Sequence, residues 1–304
     1  MNKKNVLTVK NLNKTYQKKG SNPVTAIENL NLSVKQGEIF GLLGPNGAGK
    51  TTFINILSGS VMKTSGFVEV WGFNLDKNPR QVRASIGIVA QDVNLDPFFT
   101  PESLLDLQAG LYGIKKKDRI TSKILNLVSL EKQAKSYARS LSGGMKRRLM
   151  VAKSLVHQPP IIILDEPTAG VDVELRQNLW KNVKTLNQEG VTIILTTHYL
   201  EEAEKMCDRI GILNKGNLVA LDTTQKLLEK IQIKKISIKV NNRVNINENK
   251  FKTLKIVSST NDEINLSYDK NELKIDQIIK LIEENGARIL DLSTDDGDLE
   301  DVFL

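Results

Sequence analysis

An α/β fold with a mainly parallel sheet is predicted for this chain by three observations. Gly44-Pro45-Asn46-Gly47-Ala48-Gly49-Lys50-Thr51 fits the G-x-x-x-x-G-K-[ST] phosphate loop at every position. It stands between a short apolar run, Glu38 to Leu43, and a stretch with Phe53, Ile56 and Leu57 on one helical side, which is the strand, loop and helix context the motif needs. Two further runs, Ile161 to Leu164 and Val191 to Leu195, are apolar without alternation, as in parallel strands buried on both faces.

Taken in order, Val6 to Val9 and Leu30 to Val34 alternate as strands, with Tyr16 in a polar stretch between them that ends at Pro23. The phosphate loop follows. Its glycines let successive N–H groups point at a polyanion, and the helix behind adds the positive end of its dipole. Lys50 then reaches the β- and γ-phosphates, and the Thr51 hydroxyl ligates Mg²⁺. Ser65 to Gly72 reads as a short strand, and Ile86 to Gln91 as another whose terminal Gln91 can place a carbonyl oxygen on Mg²⁺ or on a water. Helical spacing (Leu104, Leu105, Leu107, Leu111, then Ile120, Ile124, Leu127, Val128) marks a helical insert over about residues 100–145.

The insert closes on Leu141-Ser142-Gly143-Gly144-Met145, ahead of a basic helix start at Lys146-Arg147-Arg148. Ser142, Gly143 and Gly144 at a helix N-terminus make a second anion site, from free N–H groups, a hydroxyl and the helix dipole. The strand from Ile161 ends in Asp165-Glu166, and adjacent carboxylates there point to different sides of the pleat. Asp165 is the candidate Mg²⁺ partner and Glu166 the candidate general base for a water attacking the γ-phosphate. Pro167 stops that strand, and Thr168 to Asp172 leads into a helix near Val173. The strand from Val191 ends at His198, the third strand-end polar group after Gln91 and Glu166. In a mainly parallel sheet all three lie where ligands bind, outside the carboxyl ends of the strands. A helix from Leu200 to about Cys207 and a strand pair from Ile210 to Val219 close the domain.

Composition narrows the function classes. The chain has 304 residues, 40% of them hydrophobic, and a net charge of +8. Its basic clusters (Lys18-Lys19, Lys115 to Lys117, Arg147-Arg148, Lys234-Lys235) are not interleaved with aromatics, so they read as solvated faces and no nucleic-acid partner is expected. The lone Cys207 allows no internal disulfide and suits a reducing compartment, where it serves as a small buried hydrophobe. His157 reads as structural. No apolar run approaches the ~20 residues that span a bilayer, and the N-terminus has no apolar signal core, which predicts a cytoplasmic location.

In this order the motifs resemble the nucleotide-binding subunits of ABC transporters over roughly residues 5–225, because the LSGG-type stretch Leu141 to Met145 precedes the Asp165-Glu166 strand and His198 follows the next one. The resemblance implies a P-loop NTPase of the ABC type, with an antiparallel β subdomain beside the main sheet. It implies ATP and Mg²⁺ as ligands, with Tyr16 stacking on adenine and Gly44 to Thr52 (Thr51 and Thr52 included) holding the phosphates. Gln91 would sense the metal and transmit to a membrane subunit, and His198 would contact the γ-phosphate. Asp172 would lie at a dimer interface, and Ser142 to Gly144 would cap the ATP of the opposite subunit. Met145, the Thr168 to Asp172 form of the loop and the terminal Asp298 to Leu304 are similar to the ATPases of ABC-2 type (daunorubicin-resistance-like) exporters. Ala90 in place of proline and the longer polar loop Gln17 to Pro23 depart from that pattern.

The expected partners are therefore a separate transmembrane permease of the ABC-2 type and a second ATPase subunit, in a homodimer peripheral on the inner face of the membrane. A soluble ABC ATPase acting on nucleic acid or ribosomes is the alternative reading, favoured only by the positive charge. Beyond residue 225, alternation at Ile236 to Val240 and Ile264 to Tyr268, a helix with Ile275, Ile278, Ile279 and Ile282 ended by Gly286, and a strand at Arg288 to Leu292 predict a small α+β accessory domain over residues 226–304.

Overall fold

The computed structural model describes residues 4–17, 20, 22–168, 173–229, 233–242, 244 and 253–295, and the chain divides between Asp222 and Thr223 into two compact units. In the first unit, β1 (Asn5–Tyr16) and β2 (Val24–Lys35) pair antiparallel and run well beyond the two short strands that alternation marks. The added length is polar and is held by asparagines. Asn11 and Asn29 both take left-handed backbone, with φ of 48° and 47°. Asn31 Oδ1 accepts from the Asn11 N–H and Asn13 Oδ1 from the Asn29 N–H, each at 2.9 Å. Side-chain amides thus satisfy the donors that the shifts in register leave out of the ladder. Tyr16 is consequently the last residue of β1, opposite Val24, instead of lying between the two strands. β4 (Ser65–Val70) and β5 (Phe73–Asn74) complete a four-stranded antiparallel sheet.

The second sheet holds β3 (Ile39–Leu43), β6 (Ile86–Val89), β7 (Ile161–Asp165), β8 (Thr192–Thr197), β9 (Arg209–Asn214) and β10 (Asn217–Thr223), in the order β10-β9-β3-β8-β7-β6. From β9 to β6 every pairing is parallel. Register brings the strand ends level: Leu43 faces Thr197, Asp165 faces Thr196 and Val89 faces Leu164. The residues that follow those ends, Gly44, His198, Glu166 and Gln91, accordingly emerge along one edge.

Helices connect these strands: α1 (Lys50–Ser58), α2 (Pro79–Ala84), α3 (Pro101–Leu111), α4 (Thr121–Leu127), α5 (Gly143–Leu155), α6 (Val173–Gln188) and α7 (Leu200–Met206). The insert opens sharply at Thr100, whose Oγ1 accepts from the Ser103 N–H at 3.2 Å while Ser103 Oγ accepts from the Thr100 N–H at 2.9 Å, with Pro101 at the first helical position. Leu7 and Leu30 from the antiparallel sheet, Phe40 and Ile163 from the parallel sheet, and Phe53 and Ile56 from α1 share one buried cluster, each side chain contributing about 1.5–3 kcal/mol. The phosphate loop is thereby anchored on both sides. Among the described residues no helix is long and apolar enough to cross a membrane.

The second unit contains α8 (Thr224–Glu229), β11 (Ile233–Val240), β12 (Lys255–Ser259), β13 (Glu263–Asp269), α9 (Ile275–Glu284) and β14 (Ile289–Asp295). Its sheet is antiparallel in the order β12-β13-β11-β14. Ile236, Ile238 and Val240 meet Ile264, Leu266, Tyr268 and the Ile278, Leu281 and Ile282 stripe of α9 in a separate core. β12 escapes the pattern reading because it is an edge strand with one partly buried apolar residue, Ile256, in the core.

Candidate functional site

Close backbone packing shapes the phosphate loop. A Cβ on Gly44 would stand 2.2 Å from the Leu213 carbonyl oxygen. One on Gly49, at φ 108°, would stand 2.5 Å from that of Ala26. Only glycine lets β2 and β9 lie this close. Ala48 is buried, whereas Pro45, Asn46 and Gly47 are exposed, as is Thr51 in the first turn of α1; Thr52 is half-buried. Lys50 is 5% exposed, and its Nζ donates to the carbonyl oxygens of Gly44 at 2.6 Å and Pro45 at 3.3 Å. Tyr16 is 40% exposed with Lys14 Nζ 4.5 Å above its ring centroid. The β1–β2 register sets it opposite Val24, two residues before the Ala26 that backs Gly49.

Three of the predicted residues converge on the carboxylate of a fourth, Glu166. Glu166 Oε1 lies 3.5 Å from Lys50 Nζ, and Glu166 Oε2 lies 3.2 Å from both Gln91 Nε2 and His198 Nδ1. Glu166 is one residue past the end of β7 and adopts φ 44°, so the alternation expected for the Asp165-Glu166 pair does not extend to it. The left-handed turn sends its side chain back toward the phosphate loop. Its N–H is caught by the Thr196 carbonyl at 3.0 Å and by Thr196 Oγ1 at 3.2 Å. Asp165 Oδ1 accepts from Thr196 Oγ1 at 2.6 Å. Burial raises the Asp165 carboxyl above its ordinary value, against the Thr196 hydrogen bond; Glu166 raises it further, and the Lys50 and Arg147 cations pull it down. Gln91 lies two residues beyond the end of β6 and is exposed.

Ser142 caps α5 by accepting from the Met145 N–H at 3.3 Å, and it is exposed with Gly143, while Gly144 is buried. No hydrogen bond or ion pair among the described residues joins Ser142, Gly143 or Gly144 to the Lys50 and Glu166 cluster. Asp172 and the terminal Asp298 to Leu304 lie outside the described residues, as do Lys18 and Lys19.

Arg147 and Arg148 correct the reading of basic clusters as solvated faces. Arg147 is 6% exposed and donates to four backbone carbonyls. Its Nε reaches Pro167 at 3.0 Å, its Nη2 Glu166 at 3.0 Å, and its Nη1 Ala90 at 3.1 Å and also Gln91. Burial pulls this guanidinium below its usual range, opposed by Asp92 and Asp165. Arg148 Nη1 donates to Val128 and Ser129 in the insert, at 3.0 and 3.1 Å. Helical spacing carried the signal for Arg147, which stands in one stripe with Met150, Val151, Ser154 and Leu155. Thr196 and Thr168 were also missed. Thr168 Oγ1 donates to the buried Glu202 Oε2 at 2.7 Å, and Arg176 Nε lies 3.4 Å from Glu202 Oε1. His157 stacks on Tyr112 with ring centroids 3.8 Å apart, and its Nε2 lies 3.0 Å from the Ile86 carbonyl oxygen.

The ABC transporter sequence family matches residues 27–169. The linearmycin resistance ATP-binding protein of Bacillus subtilis (strain 168) is 33% identical over 98% of this chain and 97% of its own length. The Nod factor export ATP-binding protein I of Ralstonia nicotianae is 37% identical over 73% of this chain and 68% of its own. Among solved structures, an ATP binding subunit of an ABC transporter superposes with a TM-score of 0.65 at 29% identity, covering 74% of this chain and 92% of that one. A dimeric ATP-binding cassette in a post-hydrolysis state bound to ADP and Pi gives 0.64 at 28% identity, covering 72% and 98%. With its phosphate loop, strand-end carboxylates and near full-length likeness to the linearmycin resistance ATP-binding protein, the chain belongs to the ABC transporter family, as an ATP-binding subunit that hydrolyses ATP.

Proposed function

We propose that this subunit powers export as one half of a homodimer seated on a separate ABC-2 type membrane permease, hydrolysing Mg²⁺-ATP at two sites shared between the copies. The observation that carries the reading is the convergence of Lys50, Gln91 and His198 on the Glu166 carboxylate. A carboxylate there stands beside the phosphate loop and takes the proton of the water that attacks the γ-phosphate. Lys50 and the N–H groups of Gly44 to Thr52 hold the β- and γ-phosphates, His198 contacts the γ-phosphate, and Tyr16 stacks on the base. The Thr51 hydroxyl, the Gln91 amide oxygen and the Asp165 carboxylate fit Mg²⁺, since all are hard oxygen donors. Magnesium in phosphate-loop sites takes one or two carboxylates and completes its shell with water and phosphate oxygens, which agrees with there being no cluster of three acidic, His or Cys residues among the described residues. When bound, the ion neutralises charge on the phosphates.

The shared site is supported by the exposed N-terminus of α5, where Ser142 and Gly143 face solvent, and by the dimeric form of the similar cassettes. The permease is supported by the names of the relatives, which concern export and resistance, and by exposed Phe98, Leu107 and Leu111 in the insert that follows Gln91. Such a partner holds the subunit at the inner face of the membrane. Residues 1–225 act as the nucleotide-binding domain and 226–304 as an accessory domain. Action on nucleic acid or ribosomes finds no support in any relative above. Glu166→Gln is expected to retain ATP binding while losing about 10²–10⁴-fold in turnover. Parental turnover in that variant, measured by phosphate release, contradicts the assignment.

A further inference from the structure

Arg147 couples a helix to two strand ends, and it does so through the backbone. Its four acceptors are the carbonyls of Ala90 and Gln91, which follow the end of β6, and of Glu166 and Pro167, which follow the end of β7. A carbonyl beyond a strand end has lost its ladder partner, and burying it unsatisfied is costly. A planar guanidinium can serve several such acceptors at once, which a lysine ammonium on a flexible stem does poorly. No carboxylate lies within ion-pair distance of Arg147 among the described residues, so its donors are spent on holding main chain. Arginine buried without an ion pair is expensive to keep. A merely space-filling position on this stripe would be met by an apolar residue.

The consequence is clearest at Glu166. Its left-handed backbone is held on the N–H side by Thr196 and on the carbonyl side by Arg147. The same guanidinium grips the Gln91 carbonyl, while the Gln91 amide donates to the Glu166 carboxylate. Arg147 stands five residues after Ser142, the cap of this 13-residue helix, about 7.5 Å along its axis, so the two move as parts of one rigid element. We propose that Arg147 is a positioning residue that couples the Ser142 to Gly144 end of α5 to Gln91 and Glu166, keeping amide and carboxylate in working register with that helix. This inference rests on the roles given above to Ser142, Gln91 and Glu166. It makes the capping helix and the hydrolytic carboxylate of one copy a single mechanical unit, although they serve different ATP molecules.

The test uses the full chain, with turnover counted per bound ATP so that loss of folded protein does not enter. Arg147→Gln is expected to lower kcat on the order of a hundredfold, with ATP affinity and KM nearly unchanged, because misplacement of catalytic groups by about an ångström has that effect. Arg147→Lys, which keeps the charge and is the variant to read should Arg147→Gln fail to fold, is expected to recover part of the loss. Combined with Gln91→Ala, Arg147→Gln should cost little beyond the larger single effect, since both act on one geometry. Unchanged kcat per bound ATP in both Arg147 variants, or losses that multiply with Gln91→Ala, would overturn the proposal. Run alongside, Glu166→Gln separates the two failures. If it is inactive while Arg147→Gln turns over normally, positioning alone falls; if it is active, the site assignment falls and takes this proposal with it.

Discussion

Glu202 shows how a single buried carboxyl outside the Glu166 cluster contributes to the pH response of the fold. It is 7% exposed, and burial raises its carboxyl above the ordinary value, opposed by the Thr168 hydrogen bond, Arg176, His198 and Trp180. A carboxyl raised in the folded state contributes most to stability below its unfolded value of 4.5, and the contribution is lost as pH rises through the raised value. Glutamine keeps an acceptor for Thr168 and has no charge to bury. Glu202→Gln is therefore expected to melt with the parent in acid and above it at pH 8, as read from melting temperatures across that range. A parent that melts higher at pH 8 would mean that its polar partners outweigh burial. At this scale the residues that cluster around Glu166 could be named as candidates from the sequence, because a phosphate loop, a carboxylate pair and a strand-end histidine are each dictated by local chemistry. Thr196, Thr168 and Arg147 were not, since each matters through a partner far away in the chain. Their only trace was position: a polar residue on an otherwise buried strand or helical stripe has to be satisfied by something.

Elements were legible where burial is uniform and obscure where hydrogen bonding replaces it. The apolar runs of β3, β7 and β8 mark buried parallel strands directly, and all are fully buried. The outer halves of β1 and β2 carry no such pattern, because their register rests on Asn11, Asn13, Asn29 and Asn31. That hairpin also supplies the wall against which the phosphate loop is pressed, at the contact between Ala26 and Gly49. Gly49→Ala would drive a methyl to 2.5 Å from a backbone oxygen at φ 108° and so displace the loop from β2. Such strain costs about 1–3 kcal/mol, so calorimetry should find ATP affinity weakened by about tenfold or more. Parental affinity would show that the loop accepts a Cβ by moving without harm to the site.

At the scale of the whole molecule, composition shifts after about residue 225, and the chain divides between Asp222 and Thr223 into two compact units with separate cores. The first unit contains every residue of the candidate nucleotide site, yet among the described residues no hydrogen bond or ion pair joins the Ser142 end of α5 to its own Lys50 and Glu166 cluster. The residues of one copy do not by themselves show which ATP that helix end serves; only the family resemblance implies that of the opposite subunit. If the sites are shared, Glu166→Gln and Ser142→Arg disable different halves of each site. The two inactive variants should then complement, because a mixed dimer joins the intact Glu166 of one copy to the intact Ser142 of the other. The measurement is ATP turnover of the two purified variants alone and after mixing: shared sites predict that activity returns on mixing, and a mixture as inactive as its components would contradict them.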